Sequence, residues 1–212
     1  MWTDKYINYY IYLKEVDMSS PSDNFSYRIA ICFHLGYANR FNEFTSYIDN
    51  VLSLYPQTTD LYVSYREDID PRTICQSKYP NAVYFKCLRG CDIGAFLLVI
   101  DHFLRAKKQY HFIFKLHTKT NNPVFPHWKE ELLEPIAGST EQVKKVISTF
   151  EQHPDIGMIG GPKWILKQDL KDPIYKSLIK KYSLPEDGYF VGGTIFWVRF
   201  NLIRDFFNRP FI

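Results

Sequence analysis

The chain is short of most devices that announce an activity. Glycine is scarce, at 10 of 212 residues, and neither GxGxxG nor GxxxxGK(S/T) occurs, which argues against a Rossmann dinucleotide site and a P-loop ATPase. The four cysteines, Cys32, Cys75, Cys87 and Cys91, lie in or beside apolar stretches without CxxC spacing, so neither a zinc site nor a thioredoxin-type motif is signalled. Reduced thiols in a cytosolic setting are the expectation. No run approaches the ~18 apolar residues of a membrane span, and Met1-Trp2-Thr3-Asp4-Lys5 has no cleavable signal pattern. Charge of one sign is lacking too: 26 Lys and Arg against 23 Asp and Glu leave +3, enough to help hold a small polyanion and far too little to coat nucleic acid. Rings, by contrast, are abundant. Aromatic residues make up 17%, ring area that a disordered or collagen-like chain would waste.

The length fits one domain. Residues 1–26 are polar and Tyr-rich and end in the loop composition Ser19-Ser20-Pro21-Ser22-Asp23-Asn24, so they read as an N-terminal extension before a domain at 27–212. Strands are predicted at Tyr27–His34, Asp60–Tyr65, Asn81–Cys87, Tyr110–Leu116, Ile156–Ile159 and Phe190–Val198. Apolar residues at three- and four-residue spacing predict helices near Asn42–Leu54, Ile93–Lys108 and Trp128–Ile136. Another helix capped by Thr140 carries Val143, Val146, Ile147 and Phe150, and a helical excursion at 165–182 and an amphipathic segment at 200–207 follow. Strand and helix alternate, and the strands are nearly continuous apolar runs. This is the pattern of an α/β domain with a mostly parallel, mixed central sheet and helices on both faces.

In such sheets ligands lie beyond the carboxyl ends of the strands. The residues there are His34, Gly36 and Tyr37; Ser64, Tyr65 and Arg66; Arg89 and Asp92; Lys115, His117, Thr118 and Lys119; and Gly192, Gly193 and Thr194. Polar, basic and glycine positions after buried strands favour a phosphate-bearing ligand. Alternation puts Lys115, His117 and Lys119 on one side of an extended chain, and three potential cations suit a diphosphate. The competing reading is a solvated edge of alternating residues. A nucleotide-binding sheet without a glycine cradle is the broad description of the GT-A glycosyltransferase fold.

Four blocks then carry a resemblance: Arg89-Gly90-Cys91-Asp92-Ile93-Gly94-Ala95-Phe96-Leu97, Phe112-Ile113-Phe114-Lys115-Leu116-His117-Thr118-Lys119, Ile156-Gly157-Met158-Ile159-Gly160-Gly161-Pro162 and Phe190-Val191-Gly192-Gly193-Thr194-Ile195-Phe196-Trp197-Val198. In this order they resemble the rhamnan-synthesis F family of polysaccharide glycosyltransferases, over residues 27–205. The chain also looks like the N-terminal glycosyltransferase domain of multidomain chlorella-virus capsid-glycan proteins. The resemblance implies a GT-A fold, a UDP- or dTDP-sugar donor with rhamnose or another hexose, a growing glycan or glycoprotein as acceptor, further domains in a longer chain, and a cytoplasmic site of action, the host cytoplasm for a viral chain. A non-catalytic module that binds a nucleotide-sugar or glycan is the alternative.

GT-A enzymes commonly carry Asp-x-Asp after the strand matching Tyr110–Leu116, where it holds Mn²⁺ or Mg²⁺ against the diphosphate. Lys115 and His117 stand there instead. The literal Asp68-Ile69-Asp70 follows an earlier strand and reads as a turn. Either His117 is a metal ligand, or Lys115 or Lys119 neutralises phosphate without metal. Donor contacts are assigned to His34, Gly36, Tyr37, Ser64, Tyr65, Arg66, Arg89, Lys115, Thr118 and Lys119, and catalysis to Asp92 and His117. Trp128, Gly192, Gly193 and Thr194 are assigned to donor or acceptor sugar. For Asp92 a helix-capping role competes with a bond to sugar hydroxyls, and for Trp197 a core role is favoured. His127 and Glu131 are acceptor-side candidates, and Glu186 and Asp187 candidate bases.

Overall fold

Period-two alternation gives each central strand two different apolar faces, and the fold follows from what covers each one. A computed structural model describes residues 11–12, 27–120, 123–167, 171–182 and 188–207. Its strands are β1 (Ile11–Tyr12), β2 (Ile29–Leu35), β3 (Thr59–Arg66), β4 (Val83–Cys87), β5 (Phe112–His117), β6 (Ile156–Gly160), β7 (Ile165–Lys167), β8 (Tyr189–Val191) and β9 (Phe196–Arg199). The helices are α1 (Thr45–Leu54), α2 (Pro71–Ile74), α3 (Cys91–Arg105), α4 (Trp128–Ala137), α5 (Thr140–Gln152), α6 (Pro173–Tyr182) and α7 (Phe200–Phe207). No helix among the described residues is long and apolar enough to cross a membrane.

Seven strands form the main sheet in the order β1-β6-β9-β5-β2-β3-β4. β2 lies parallel between β3 and β5, and β4 is parallel to β3. β9 runs antiparallel between β5 and β6, and β1 is antiparallel to β6. The sheet is thus mixed, with β6, β5, β2, β3 and β4 pointing the same way. On one face Ile29, Ile31, Phe33, Leu61, Val63, Phe112, Phe114 and Trp197 pack under α1, α4 and α5. Phe114 and Trp197 stack there with ring centroids 4.7 Å apart, the core role favoured for Trp197. On the other face Ala30, Cys32, Tyr62, Ile113 and Val198 meet Phe96, Val99, Ile100 and Phe103 of α3. Each such ring or aliphatic chain withdrawn from water contributes about 1.5–3 kcal/mol. Arg199 is buried at the end of β9, where its guanidinium donates to the carbonyls of Phe150, His153 and Ile156 and so satisfies the C-terminal end of α5.

Several expected boundaries move. The helix predicted from residue 165 begins as a strand, because Ile165, Leu166 and Lys167 pair with Val191, Phe190 and Tyr189. Helix starts only at Pro173, where the Asp172 carboxylate accepts from the Ile174 amide. The long strand predicted at Phe190–Val198 is broken in two, since Gly193 at φ 76° and Thr194 at φ 55° turn the chain out of one sheet and into the other. Ser139, not Thr140, caps α5 by accepting from the Gln142 amide. Asp70 caps α2 and pairs with Arg72, while Asp68 pairs with Arg66. The turn reading of Asp68-Ile69-Asp70 therefore holds, and both carboxylates are committed to local bonds.

Candidate functional site

The carboxyl ends of β2, β3, β4 and β5 share one edge of the sheet, and the N-terminus of α3 meets them there. Between them lies a cleft of about 620 Å³. Its lining draws on His34, Gly36 and Tyr37 after β2, Arg66 at the end of β3, and Arg89 and Asp92 after β4. His117, Thr118 and Lys119 after β5 and the Gly193-Thr194 turn complete it. Cys87, Leu88, Gly90 and Cys91 line it as well. These four were not among the expected site residues, although their place just past a predicted strand end was the signal that could have found them.

Five expected residues do not line the cleft. Ser64 sits behind His34 and faces its Nδ1 at 3.2 Å. Tyr65 packs against the α1 side of the core. Gly192 is buried where a side chain would strike Leu166 and Trp164. Trp128 is buried, with its ring nearly parallel to His117 at 6.4 Å and the Lys119 ammonium 4.8 Å above it, so it presents no open face for a sugar. Lys115 is the fifth: its side chain is 2% exposed, which removes it from the expected row of three cations. Of the acceptor-side candidates, Glu131 is bonded to Lys163 and Trp164, and His127 is exposed at the start of α4. Glu186 and Asp187 lie outside the described residues.

The rim is tied by Thr118. Its hydroxyl oxygen accepts from the amides of Gly36 and Tyr37, both at 2.8 Å, and its own amide donates to the His34 carbonyl at 3.0 Å. The ends of β2 and β5 are thereby fixed to each other. Tyr37 lies under the Arg66 guanidinium at 6.0 Å, a flat amphipathic pair at the cleft mouth. Burial, then the neighbouring His117, pushes the His34 imidazole down to about 4, so it is neutral at pH 7.

The floor is a closed network drawn from three distant parts of the chain. Lys115 Nζ donates to Asp92 Oδ2 at 2.9 Å and to the Thr194 carbonyl at 2.7 Å. The Thr194 hydroxyl donates to the same Asp92 oxygen at 2.5 Å. His117 places Nε2 at 2.9 Å from the Gly193 carbonyl and Nδ1 at 3.2 Å from the Thr118 carbonyl. Burial alone would raise the Asp92 carboxyl, but the Lys115 ammonium, His117 and the Thr194 hydroxyl outweigh it and hold the group at about 2. Burial, then the Lys115 charge, keeps His117 below its ordinary value and hence uncharged. Asp92 lies in the first turn of α3 but bonds to Lys115 and Thr194, so its carboxylate is not the helix cap; the N-cap position is Gly90, and no side chain caps that turn.

A divalent cation held by protein ligands does not fit these residues. Among the described residues Asp92 is the one carboxylate that lines the cleft, and with its Oδ2 engaged by an ammonium and a hydroxyl it could give a cation a single oxygen. Both His117 nitrogens face carbonyl oxygens, which leaves no lone pair aimed at the cleft. Among the described residues no group of three or more His, Cys, Asp and Glu could hold a metal ion. What the cleft does offer is an anion-friendly wall: Arg89, Lys119 and the uncapped N–H groups of α3.

A protein-family model described as rhamnan synthesis protein F matches residues 3–166. The match takes in most of the segment read as an extension and stops before the Gly192-Gly193-Thr194 block. No curated protein matches the chain. The matching family is a glycosyltransferase-related one, which supports a transferase acting in polysaccharide synthesis.

Proposed function

The chain belongs to the rhamnan synthesis protein F family, and from that premise we propose that the cleft binds a UDP- or dTDP-sugar and passes the sugar, rhamnose or another hexose, to a growing glycan. The observation that carries this reading is the set of side chains that one cleft brings together. Tyr37 and Arg66 at the mouth offer a face for a nucleobase. Arg89, Lys119 and the first turn of α3 line the same cleft and offer charge and N–H donors for a diphosphate. The ionised Asp92 lies on the floor, where sugar hydroxyls would find an acceptor.

In the transfer step the bond from the sugar's anomeric carbon to the diphosphate oxygen breaks, and the acceptor hydroxyl oxygen bonds to that carbon. Negative charge collects on the departing diphosphate, and the preorganised N–H groups and cations stabilise it there. Asp92 accepts hydrogen bonds from the sugar and opposes the positive charge that grows at the anomeric carbon. Held at about 2, it is a weak base, and His117 has its nitrogens turned to carbonyls. The acceptor's proton therefore passes to the departing diphosphate, or to Glu186 or Asp187, the candidate bases beyond the described residues.

Among the described residues the cleft's Asp92 and His117 are both engaged and its His34 imidazole, lowered to about 4, is a weak base, which favours the second reading, a module that binds the donor without turning it over. Thermal unfolding with UDP, dTDP, GDP or CMP, each with and without Mn²⁺, separates the cases. Saturation at a hundredfold over Kd adds about 2.7 kcal/mol, which for a domain of this size raises Tm by roughly 5–10 °C. A shift with UDP or dTDP and sugar release or transfer from the matching nucleotide-sugar is the expected result. Binding without turnover in the presence of glycan acceptors would favour the module. No shift with any nucleotide sinks both readings, and a shift that needs Mn²⁺ would restore a cation to the site.

A further inference from the structure

We propose that Lys115 is a positioning residue, a buried cation that holds Asp92 and the Gly193-Thr194 turn at the floor of the cleft and does not touch the donor diphosphate. The inference rests on the nucleotide-sugar reading only for its sugar arm. Period two puts Ile113, Lys115 and His117 on the α3 face of β5, and Ile113 is packed in the core beneath that helix. The Lys115 side chain therefore ends under α3 and not in the cleft. Its ammonium has three N–H groups; two donate to Asp92 and to the Thr194 carbonyl, and the Phe96 and Phe196 rings close in at 5.8 and 5.7 Å.

The geometry of the turn explains what this cation is for. Gly193 and Thr194 are both in the left-handed region, where a non-glycine residue persists only if its surroundings hold it. Two β5 side chains do the holding: His117 faces the Gly193 carbonyl and Lys115 takes the Thr194 carbonyl. The Thr194 hydroxyl then closes the ring on Asp92. Every bond the described residues make to Asp92 falls on Oδ2, so Oδ1 is the oxygen left to a ligand. With the Asp92 side chain 22% exposed and that of Lys115 at 2%, the carboxylate is the half of the pair a ligand can reach. Lys115 acts through it.

Loss of one partner from a buried ion pair strands the other, whereas exchanging both for neutral groups is tolerated. We therefore compare Lys115→Met with the double variant Lys115→Met/Asp92→Asn. Carbon-detected NMR of the Asp92 carboxyl should show its titration rise by more than about one pH unit in Lys115→Met. UDP affinity should stay within about threefold, while affinity for the UDP-sugar, or the dTDP-sugar if that is the donor, falls about tenfold or more, since only the sugar reads Asp92. An unmoved Asp92 titration overturns the proposal, as does an equal loss of nucleotide and nucleotide-sugar affinity, which would make Lys115 a phosphate ligand. If Lys115→Met fails to fold, the double variant decides: a folded protein that keeps its UDP affinity supports the positioning role, and one that loses it refutes that role. If the wild type binds no nucleotide, the glycosyltransferase reading fails by itself and the titration alone judges Lys115.

Discussion

Each end of the sheet sets a carboxylate beside a hydroxyl and a cation, and the two ends treat the cation in opposite ways. At the amino ends of the strands, Asp60 accepts from the Tyr110 hydroxyl at 2.5 Å, which meets the Tyr62 hydroxyl at 2.6 Å. The cation there, Arg28, stands 3.7 Å away with half its side chain in water. Burial and the bonds to Asp60 and Tyr62 push the Tyr110 phenol upward, so it remains a donor. Rings carry the packing: Tyr62 and Tyr110 meet Phe103 at 4.7 and 4.9 Å. At the carboxyl ends the cation Lys115 is buried beside a carboxylate, Asp92, that is partly open, whereas Arg28 and Asp60 both reach water. Removing an ammonium from water is costly and is offset only by close partners. A charge kept inside where a tyrosine hydroxyl would have served points to a task for the carboxylate, and the far end shows what a purely structural solution looks like.

The largest effect expected from this contrast is on acid stability. His34 titrates at about 4 in the folded protein, against about 6.5 for an unfolded chain. Above pH 6.5 both states are neutral there and the residue contributes nothing to the pH dependence. Between about 6.5 and 4 the unfolded chain takes up a proton that the folded cleft refuses, so stability falls as pH falls, by on the order of 3 kcal/mol in all. Asp92, depressed to about 2, adds its own loss only below about pH 4. Urea unfolding from pH 7 to 4 should therefore show a smaller loss in His34→Gln than in the wild type. Replacing His111, which lies at the far end and is lowered by burial and Arg28, should flatten the profile less. Equal profiles for His34→Gln and the wild type would place the acid lability elsewhere.

Next in size is Tyr110→Phe. It removes the hydroxyl that donates to Asp60 and leaves the Tyr62 hydroxyl, in a side chain 1% exposed, without that partner. The expected cost is about 1–3 kcal/mol, read as a lower urea midpoint. The Tm shift produced by UDP should be unchanged, because the amino end lies across the sheet from the cleft. A loss of nucleotide response in this variant would mean that the two ends are coupled, and the division of labour argued above would fail.

How much of this was legible beforehand depends on what periodicity can and cannot say. The alternation of apolar runs placed β2, β3, β5 and β6 within a few residues, because a strand buried on both faces leaves a continuous signature. Strand ends then located most of the cleft, from His34 and Arg66 to Asp92, His117 and Lys119. Periodicity assigned Lys115 to the same face as His117, which is right, but a face says nothing of its cover. Only tertiary packing reveals that Asp92 and Phe96 of α3 cover Lys115, while His117 lines the cleft. Trp128 failed for the same reason, since a polar connection precedes it but α4 carries its ring into the core. The break at Gly193-Thr194 was invisible because Val191 and Phe196 are both good strand residues; the partners that pull them apart, β7 and β5, are far away in sequence.

The smallest effect tests the carboxyl end where it looks most like scaffold. Gly36 lines the cleft, and a glycine there invites the inference that backbone must approach a ligand. Its surroundings say otherwise. A β-carbon would meet the His34 ring at 3.5 Å and the Thr118 hydroxyl at 3.6 Å, ordinary contact distances. The backbone is outside the left-handed region, unlike that of Gly90 and Gly193. The amide that donates to Thr118 is present in alanine as well. Gly36→Ala should then stabilise the fold by about 0.4–1 kcal/mol, because it narrows the unfolded ensemble at no steric cost. A loss of more than about 1 kcal/mol in urea unfolding would show that the β2 end is fitted as tightly as the tyrosine cluster at the far end. The contrast between the two ends would then hold for the Asp92 floor alone.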